Sequence, residues 1–520
     1  MPGLDDVLYN PALFARDRCG VEASLRPKLV QRIIDGLERD ANSGAPQHLL
    51  ILGERGSGKT MLLRSLARAI EACEPLRDEW FPLAFPEAQY DVGGLADLWT
   101  NALDYLRVAL HRRGHKKLAR SLRVAAAELD GMRDEAREDE ALRLLLDASD
   151  TLERRFILLV DNLDVVLDRL KAEQWRFRDV LSEERRILVI GASARAIEAT
   201  YHYDAAFYDF FQLSELRRIP LSQTRQALAK IWNTPNVVER LDTYDTRYPG
   251  GLDAVTTLVG TLPRTLALVA EQLERTPDTR PDWLVLSILD RLTPEHQARI
   301  DGLAPQSQRV LFALATGWDP MRAADVASRT RLSTNAASAQ LNRLVQDGYV
   351  EKVPYPPGSR LGFQLRDRRF GVWFIMRAGQ PHRRRLVTKT HLVRHILAVE
   401  NGLAGERTGP LHAAADLIRL GRWNEAAPRL STELAALPPA LDHTQFSGLV
   451  AVAGAALASG RADVFAAQIV TLGRPGRWRF LARAIALAGD AESDVLMHTS
   501  PELRPPLRQF AARIADAATQ

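Results

Sequence analysis

The sequence contains few cysteines and no long apolar segment. Only Cys19 and Cys73 occur among 520 residues, and neither has the spacing of a metal-binding pair, which argues against a disulfide framework or a zinc site. This usage favours a reducing compartment, so we expect a cytoplasmic protein. The longest apolar run, residues 449–458, is much shorter than the roughly 20 residues that cross a bilayer. The acidic first residues lack the apolar core of a signal peptide, and we expect no membrane partner.

The chain also lacks a strong charge of either sign. Its 69 basic and 65 acidic residues give a net charge of +4, which permits nucleic-acid contact without requiring it. No nuclease, protease or other effector motif occurs. A length of 520 residues exceeds what one core supports, so two to four domains are expected.

The most informative segment is a glycine-rich loop between two periodic elements. Residues 53–60 fit G-x-x-x-x-G-K-[ST], with an apolar strand pattern before them and a helical pattern after them. Glycines let backbone N–H groups turn onto phosphate oxygens, and the following helix adds its dipole. The predicted nucleotide-binding residues here are Gly53, Glu54, Arg55, Gly56, Ser57, Gly58, Lys59, Thr60 and Met61. Lys59 is expected on the β- and γ-phosphates of ATP, and Thr60 on Mg²⁺.

A second motif follows about a hundred residues later. Residues 156–160 form a continuous apolar strand that ends at Asp161, as expected for a central parallel strand with a magnesium-binding carboxylate at its end. Asn162 follows and cannot act as a general base. Asp164 is either the acid that orients the attacking water or a surface acid at a helix start.

Three further segments complete the N-terminal pattern. An apolar strand at 186–191 leads to Ser193, which either contacts nucleotide or caps a helix. A basic helix at 111–123 and an acidic one at 128–140 are predicted to pair, with nucleic-acid contact by residues 112–117 as the alternative. A helical region after Gln223 contains Pro263 and Arg264, and Pro263 also suits the first position of a helix.

The pattern changes at about Leu303. Helices near 307–315, 323–330 and 333–345, followed by strands at 349–353 and 360–365, predict a winged helix resembling the MarR-type fold. Its third helix offers residue types that read base edges, namely Thr334, Asn335, Ser338, Gln340, Asn342 and Arg343. A purely structural clamp is the alternative. The run 383–385 is interpreted as a linker or a phosphate contact.

The C-terminal residues are rich in alanine and leucine and are predicted to be helical. Turns at Gly421, Gly460 and Gly489 resemble those of tetratricopeptide-like repeats, with a plain helical bundle as the alternative. Stacked helix pairs would offer a surface for self-association or for a partner protein.

The order of these segments resembles the STAND ATPases, including their NACHT-like members, and the neighbouring origin-recognition branch of AAA+ ATPases. The resemblance implies an α/β P-loop NTPase core with a parallel sheet between helices (1–222), a helical lid (223–295), a winged helix-turn-helix (296–380) and an all-α repeat domain (388–520). It implies catalytic roles for Asp161, Asp164 and Ser193. It also implies nucleotide contacts by Pro263 and Arg264, and an adenine pocket that includes Asn10 and Pro11.

Three functions remain open on this basis. The resemblance implies an ATP-dependent switch that hydrolyses slowly and couples ATP or ADP binding to assembly and signalling, in bacterial defence or regulation. The second hypothesis is an ATPase that binds duplex DNA through its winged helix. The third is a nucleotide-binding scaffold without turnover, which Asn162 suggests.

Overall fold

A computed structural model describes residues 25–43, 47–86, 91–194, 204–317, 319–355, 361–398, 409–472, 478–490, 494–500 and 503–519. The chain divides into two compact units. The first, called here the ATPase unit, comprises Met1–Ile219 with Leu262–Arg264, and the second comprises the remaining residues. The further division into lid, winged helix and C-terminal domain stays a prediction.

The ATPase unit is built on a parallel five-stranded sheet. Its strands are β1 (Leu49–Leu52), β2 (Trp80–Ala84), β3 (Arg155–Val160), β4 (Ile187–Ser193) and β5 (Gln212–Glu215). Their spatial order is β2-β3-β4-β1-β5, and every neighbouring pair is parallel. The carboxyl ends of all five strands therefore meet at one edge, and β4 lies between the strand of the glycine loop and the strand of Asp161.

Eight helices accompany this sheet in the described part of the unit. They are α1 (Pro27–Ser43), α2 (Lys59–Ala72), α3 (Glu74–Glu79), α4 (Leu95–Arg112), α5 (Lys116–Leu129), α6 (Asp134–Leu152), α7 (Leu163–Leu170) and α8 (Gln174–Glu183). Alternate strand residues enter two separate cores. Leu158 and Val189 pack with α4–α8 on one face, whereas Leu159 and Ile190 pack with α1–α3 on the other. The P-loop NTPase fold predicted from the sequence is confirmed.

Two sequence-based boundaries in this unit are wrong. The predicted basic helix 111–123 is interrupted, because α4 ends at Arg112 and α5 begins at Lys116 after Gly114, whose φ is 88°. The predicted acidic helix 128–140 instead begins at Asp134 and extends to Leu152. Helical periodicity alone did not reveal either turn, because the residues on both sides are good helix formers.

The second unit begins with six helices in the lid region and just beyond it. They are α9 (Thr224–Trp232), α10 (Val237–Arg247), α11 (Gly251–Val259), α12 (Pro263–Arg275), α13 (Pro281–Arg291) and α14 (Thr293–Asp301). The first two residues of α12, together with the preceding Leu262, belong to the ATPase unit. Most residues of α11 are buried, so this helix forms the centre of the group.

A winged helix follows. It consists of α15 (Pro305–Gly317), α16 (Ala323–Thr330), α17 (Thr334–Gln346) and the antiparallel strands β6 (Val350–Pro354) and β7 (Leu361–Leu365). Ser333 is the N-cap of α17, and its hydroxyl accepts a hydrogen bond from the Ala336 N–H at 3.2 Å. Gly348, at φ 75°, ends the turn after α17. The predicted winged helix is therefore confirmed.

The remaining residues are helical. They form α18 (Arg368–Arg377), α19 (Gln380–Leu397), α20 (Pro410–Arg419), α21 (Trp423–Ala436), α22 (His443–Ala458), α23 (Ala462–Leu472), α24 (Arg479–Gly489) and α25 (Arg504–Thr519). The interpretation of 383–385 as a linker is wrong, because these residues lie inside α19. α22 is buried almost all round and packs against α20 and α25, as the centre of a helical bundle.

Two of the three predicted repeat turns are present. Gly421 and Gly460 adopt φ values of 75° and 66° after their helices, whereas Gly489 is the last residue of α24. The tetratricopeptide-like assignment stays a prediction. No helix among the described ranges is long and apolar enough to cross a membrane.

Candidate nucleotide-binding site

The glycine loop links the central strand β1 to the helix α2. Gly56 and Gly58 have φ values of 82° and 95°, a region that costs L-residues roughly 1–2 kcal/mol. α2 then begins at Lys59, and the Gly58 carbonyl accepts the first helical hydrogen bond from the Leu62 N–H at 2.8 Å. The predicted order of strand, loop and helix is confirmed. The start of α2 therefore lies at the carboxyl edge of the sheet.

Two polar side chains are buried inside this loop. Lys59 is 7% exposed, and its ammonium donates to the carbonyl oxygens of Gly53 at 2.8 Å and Glu54 at 3.2 Å. Ser57 is fully buried, and its hydroxyl has no hydrogen-bond partner in the described part of the chain. An unsatisfied buried hydroxyl costs about 1–3 kcal/mol. A buried cation and a buried hydroxyl in one loop fit the oxygens of a bound phosphate.

Thr60 and Asp161 meet although they are a hundred residues apart. The Thr60 hydroxyl donates a hydrogen bond to Oδ2 of Asp161, while Oδ1 accepts one from the Asn162 N–H at 2.9 Å. Asp161 is 3% exposed. A hydroxyl and a carboxylate side by side are the hard oxygen ligands that Mg²⁺ prefers. The residues present therefore fit the predicted magnesium ion.

Ser193 lies between these two groups in the sheet order. It is the last residue of β4, is fully buried, and accepts a hydrogen bond from the Gly53 N–H through its carbonyl at 3.1 Å. Because β4 separates β1 from β3, the side chain of this residue is at the same edge as Lys59 and Asp161. Its contact with nucleotide stays a prediction.

Asn162 has a conformational role that the sequence alone did not reveal. Its φ and ψ angles are 50° and 44°, the left-handed region that asparagine tolerates better than glutamate, and it is the N-cap of α7. Asp164 follows in the first turn of α7 and is 6% exposed. A carboxylate there is favoured by the helix dipole. Asp164 is thus a buried acid three residues beyond Asp161, and its catalytic role stays a prediction.

The other residues predicted in the loop differ in their surroundings. The Glu54 carboxylate forms two hydrogen bonds to the Arg218 guanidinium, at 3.1 Å and 3.0 Å, so its side chain is engaged by the protein. Arg55 is exposed, and Met61 is partly buried on α2. Sequence reasoning missed Arg218 because a pair of arginines after a strand carries no motif.

Arg264 reaches the loop from the start of α12. Its backbone N–H donates to the Gly56 carbonyl at 3.2 Å. A β-carbon at Gly56 would lie 3.0 Å from the β-carbon and 3.3 Å from Cδ of Arg264. Pro263 is buried at the first position of α12. Pro263 and Arg264 therefore lie beside the loop as predicted, whereas Asn10 and Pro11 lie outside the described residues.

A buried histidine fastens the start of β1. The Val189 N–H donates to Nδ1 of His48 at 3.0 Å, so Nε2 carries the proton and donates to the Leu181 carbonyl at 3.1 Å. Burial lowers the pKa of His48 to about 4, and the ring is neutral at pH 7. His48 thereby holds β1, β4 and α8 together beneath the loop. No catalytic or ligand motif in the sequence marks it.

The third helix of the winged helix retains only part of its predicted reading face. Thr334, Asn335, Asn342 and Arg343 are exposed, and Ser338 is partly buried. The Gln340 amide oxygen instead accepts a hydrogen bond from the Ser307 hydroxyl at 2.7 Å, which ties α17 to α15. The Gln340 amide oxygen thus has a packing role between two helices, and contact of this side chain with a base stays a prediction.

Family models match two parts of the chain, one in the ATPase unit and one in the winged helix. Residues 26–190 match the model described as the AAA ATPase domain, and residues 301–361 match that of the MarR family. The fold and the site together define an AAA-type ATPase domain in the first unit and a MarR-type winged helix in the second. No curated protein matches the chain.

Several solved structures resemble parts of the chain at low identity. A Walker-type ATPase of Pyrococcus abyssi has 14% identity and a TM-score of 0.48, covering 67% of this chain and 95% of that one. The ORC1 protein of Aeropyrum pernix, solved in complex with DNA, has 15% identity and a TM-score of 0.37, with coverages of 66% and 90%. RuvB of Thermotoga maritima has 13% identity and a TM-score of 0.31, with coverages of 63% and 90%. We draw no functional conclusion from these pairs.

Proposed function

We propose that this chain is a Mg²⁺-dependent, ATP-binding switch that hydrolyses ATP slowly and uses its nucleotide state to control assembly. The observation that carries the proposal is the contact between Thr60 and Asp161 beside the buried Lys59 ammonium. These groups supply a metal ligand set and a phosphate cation at one sheet edge. Mg²⁺ bound there would neutralise phosphate charge and polarise the terminal phosphoryl group.

Hydrolysis requires a group that orients water, and Asp164 is our candidate. Asn162 cannot accept a proton, whereas Asp164 is a buried carboxylate at the start of the helix that follows Asp161. General-base catalysis contributes about 10²–10⁴-fold to a rate. We therefore expect Asp164→Asn to bind ATP normally and to lose at least tenfold of its turnover.

Arg264 is our candidate for coupling the nucleotide to the rest of the chain. Its backbone N–H donates to the Gly56 carbonyl, and it is the second residue of α12, a helix that continues into the second unit. A nucleotide shifts a conformational equilibrium only if it binds the two conformations unequally. Arg264 contacts the phosphate loop and lies in the first turn of α12, so a movement of this helix would change how tightly the loop binds nucleotide. The C-terminal helices remain the proposed surface for self-association or a protein partner.

A DNA-binding ATPase is the second candidate function. The exposed Asn335, Asn342 and Arg343 on α17 favour it, since amide and guanidinium groups pair with base edges in the major groove. Under this proposal, duplex DNA would change the rate of ATP hydrolysis.

Steady-state ATP turnover with and without duplex DNA separates the two candidates. Turnover that rises with duplex, and that is lost in Asn342→Ala, would favour the DNA-binding ATPase. Slow turnover that duplex does not change would favour the switch. Lys59→Ala tests both, because turnover equal to that of the unaltered protein would refute nucleotide chemistry at this site.

A further inference from the structure

A stripe of basic side chains covers the exposed face of α5. Lys116, Lys117, Arg120 and Arg123 are all exposed. An α-helix advances about 100° per residue, so Lys116, Arg120 and Arg123 share one side within about 60°. Leu122 and Leu129 lie on the other side and are buried. We call these four basic residues the α5 stripe.

The acidic helix α6 does not neutralise this stripe. Glu140 and Asp147 pair with Arg143 of the same helix, and Glu138 pairs with Arg176 of α8. Within the described ranges, none of the four stripe residues forms an ion pair. The basic and acidic helices pack against each other as predicted, but among the described residues no ion pair joins α5 to α6. In the part of the chain that the structure describes, α5 thus carries four basic side chains without a salt-bridge partner.

The position of the stripe disfavours an explanation through helix stability. Lys116 and Lys117 occupy the first turn of α5, which contains no acidic residue. Positive charge at a helix N-terminus is unfavourable by roughly 0.3–1 kcal/mol per residue. Each lysine therefore weakens the helix that carries it, and a polyanion would relieve that repulsion.

We propose that the α5 stripe binds the phosphate backbone of a nucleic acid, as a contact of the ATPase unit in addition to any made by the winged helix. Lys116 and Arg123 are separated by about 10 Å along the helix axis, enough for about three phosphates of one strand. The open surface along this face is formed by α5 alone, and at its far end it includes one acidic residue, Glu128. The inference extends the DNA-binding candidate function and does not require ATP hydrolysis.

Other polyanionic partners fit this face less well. Val124, at 59% exposure, is the only exposed large apolar side chain among the described residues of α5. Membrane-surface helices insert several residues such as Trp, Phe or Leu, and protein interfaces are anchored by buried aromatic or apolar groups. A backbone of phosphates needs neither. The chemistry of the face thus favours nucleic acid over a lipid surface or an acidic protein.

The test compares two triple charge reversals in the full-length protein. The stripe variant carries Lys116→Glu, Arg120→Glu and Arg123→Glu. The matched control carries Lys28→Glu, Arg32→Glu and Arg185→Glu, three exposed positions on other parts of the ATPase unit. Binding of a labelled 30-base-pair duplex and of a 30-nucleotide single strand is measured by anisotropy over a range of salt concentrations. Melting temperature and ATP affinity are measured for all three proteins.

The stripe variant is expected to lose on the order of 100-fold in affinity at 0.15 M salt. For the duplex, the slope of log affinity against log salt concentration should become shallower by about 2.7, because three phosphate contacts are lost. The control should retain its affinity to within a fewfold. ATP affinity should be equal in all three proteins. A failure of the α5-stripe proposal can therefore be distinguished from a failure of the proposed nucleotide site. Equal losses in stripe and control variants would overturn the proposal. Binding of phosphatidylserine vesicles by a protein that does not bind nucleic acid would overturn it as well.

Discussion

The substitution Asp161→Asn separates metal binding from folding at this site. The amide has the shape of the carboxylate, its oxygen can still accept from the Asn162 N–H, and its nitrogen can donate to the Thr60 hydroxyl. Exchanging charged for neutral hydrogen bonds costs about 1 kcal/mol each, so the fold should persist. The negative charge that would attract Mg²⁺ is lost.

The expected effect is confined to the metal-bound nucleotide. Losing one charge-assisted interaction costs about 1.5–3 kcal/mol, which corresponds to roughly a tenfold to hundredfold weaker affinity for Mg²⁺-ATP. At a ligand concentration of 100 Kd, the unaltered protein gains about 2.7 kcal/mol of stability, and a tenfold weaker variant gains only about 1.4 kcal/mol. Affinity for ATP in EDTA should not fall, because no cation is then held by Asp161.

The assay is a titration with fluorescent ATP, run in parallel with Mg²⁺ and with EDTA. Asp179→Asn, which removes one exposed carboxylate from α8, is the charge-matched control. Our reasoning about Asp161 is refuted if Asp161→Asn binds Mg²⁺-ATP as tightly as the control. It is refuted equally if affinity falls by the same factor with and without the metal.

Three further predictions follow from other residues. Gly56→Ala should weaken ATP binding about tenfold, because alanine at φ 82° is strained by roughly 1–2 kcal/mol and its β-carbon would meet Arg264. The control is Gly131→Ala, which has open space around its β-carbon and should bind ATP normally in the same titration. The pKa of His48 is about 4 in the folded protein and 6.5 in the unfolded chain, so the unfolded chain is protonated first as the pH falls. The free energy of unfolding should therefore fall by about 2–3 kcal/mol from pH 8 to pH 4.5. Denaturant unfolding of His48→Gln should show a pH dependence smaller by that amount, and parallel curves would contradict the assignment. Gln340→Ala should lower the melting temperature without weakening DNA binding, whereas Asn342→Ala should weaken DNA binding without lowering the melting temperature. A larger loss of DNA affinity in Gln340→Ala than in Asn342→Ala would show that the packing role is wrong.

The phosphate loop and the strand ends were predictable from the sequence because their signals are local. Apolar runs that end at Gly53, Asp161 and Ser193 each indicate a buried strand, and parallel strands bring their carboxyl ends to one edge. The winged helix was predictable for a similar reason. Its N-cap at Ser333 and its closing Gly348 are both chemical signals for a helix boundary.

Features that depend on contacts distant in sequence were not predictable. The Arg218 clamp on Glu54 joins residues 164 positions apart, and the bond between Ser307 and Gln340 joins two helices. The turn at residues 113–115 was missed because helix-forming residues flank it. The left-handed conformation of Asn162 is set by the connection between β3 and α7, and it was interpreted only as a missing base.

The measurement that tests the central claim most directly is the equilibrium affinity of the purified chain for Mg²⁺-ATP, compared between the unaltered protein, Lys59→Ala and the surface control Lys28→Ala. The Lys59 ammonium is buried in the phosphate loop, whereas Lys28 is exposed on α1. We predict one bound ATP per chain, a loss of at least tenfold in Lys59→Ala with a melting temperature close to that of the control, and no loss in Lys28→Ala. Affinity in Lys59→Ala equal to that of the control would contradict the assignment of this loop as the nucleotide site.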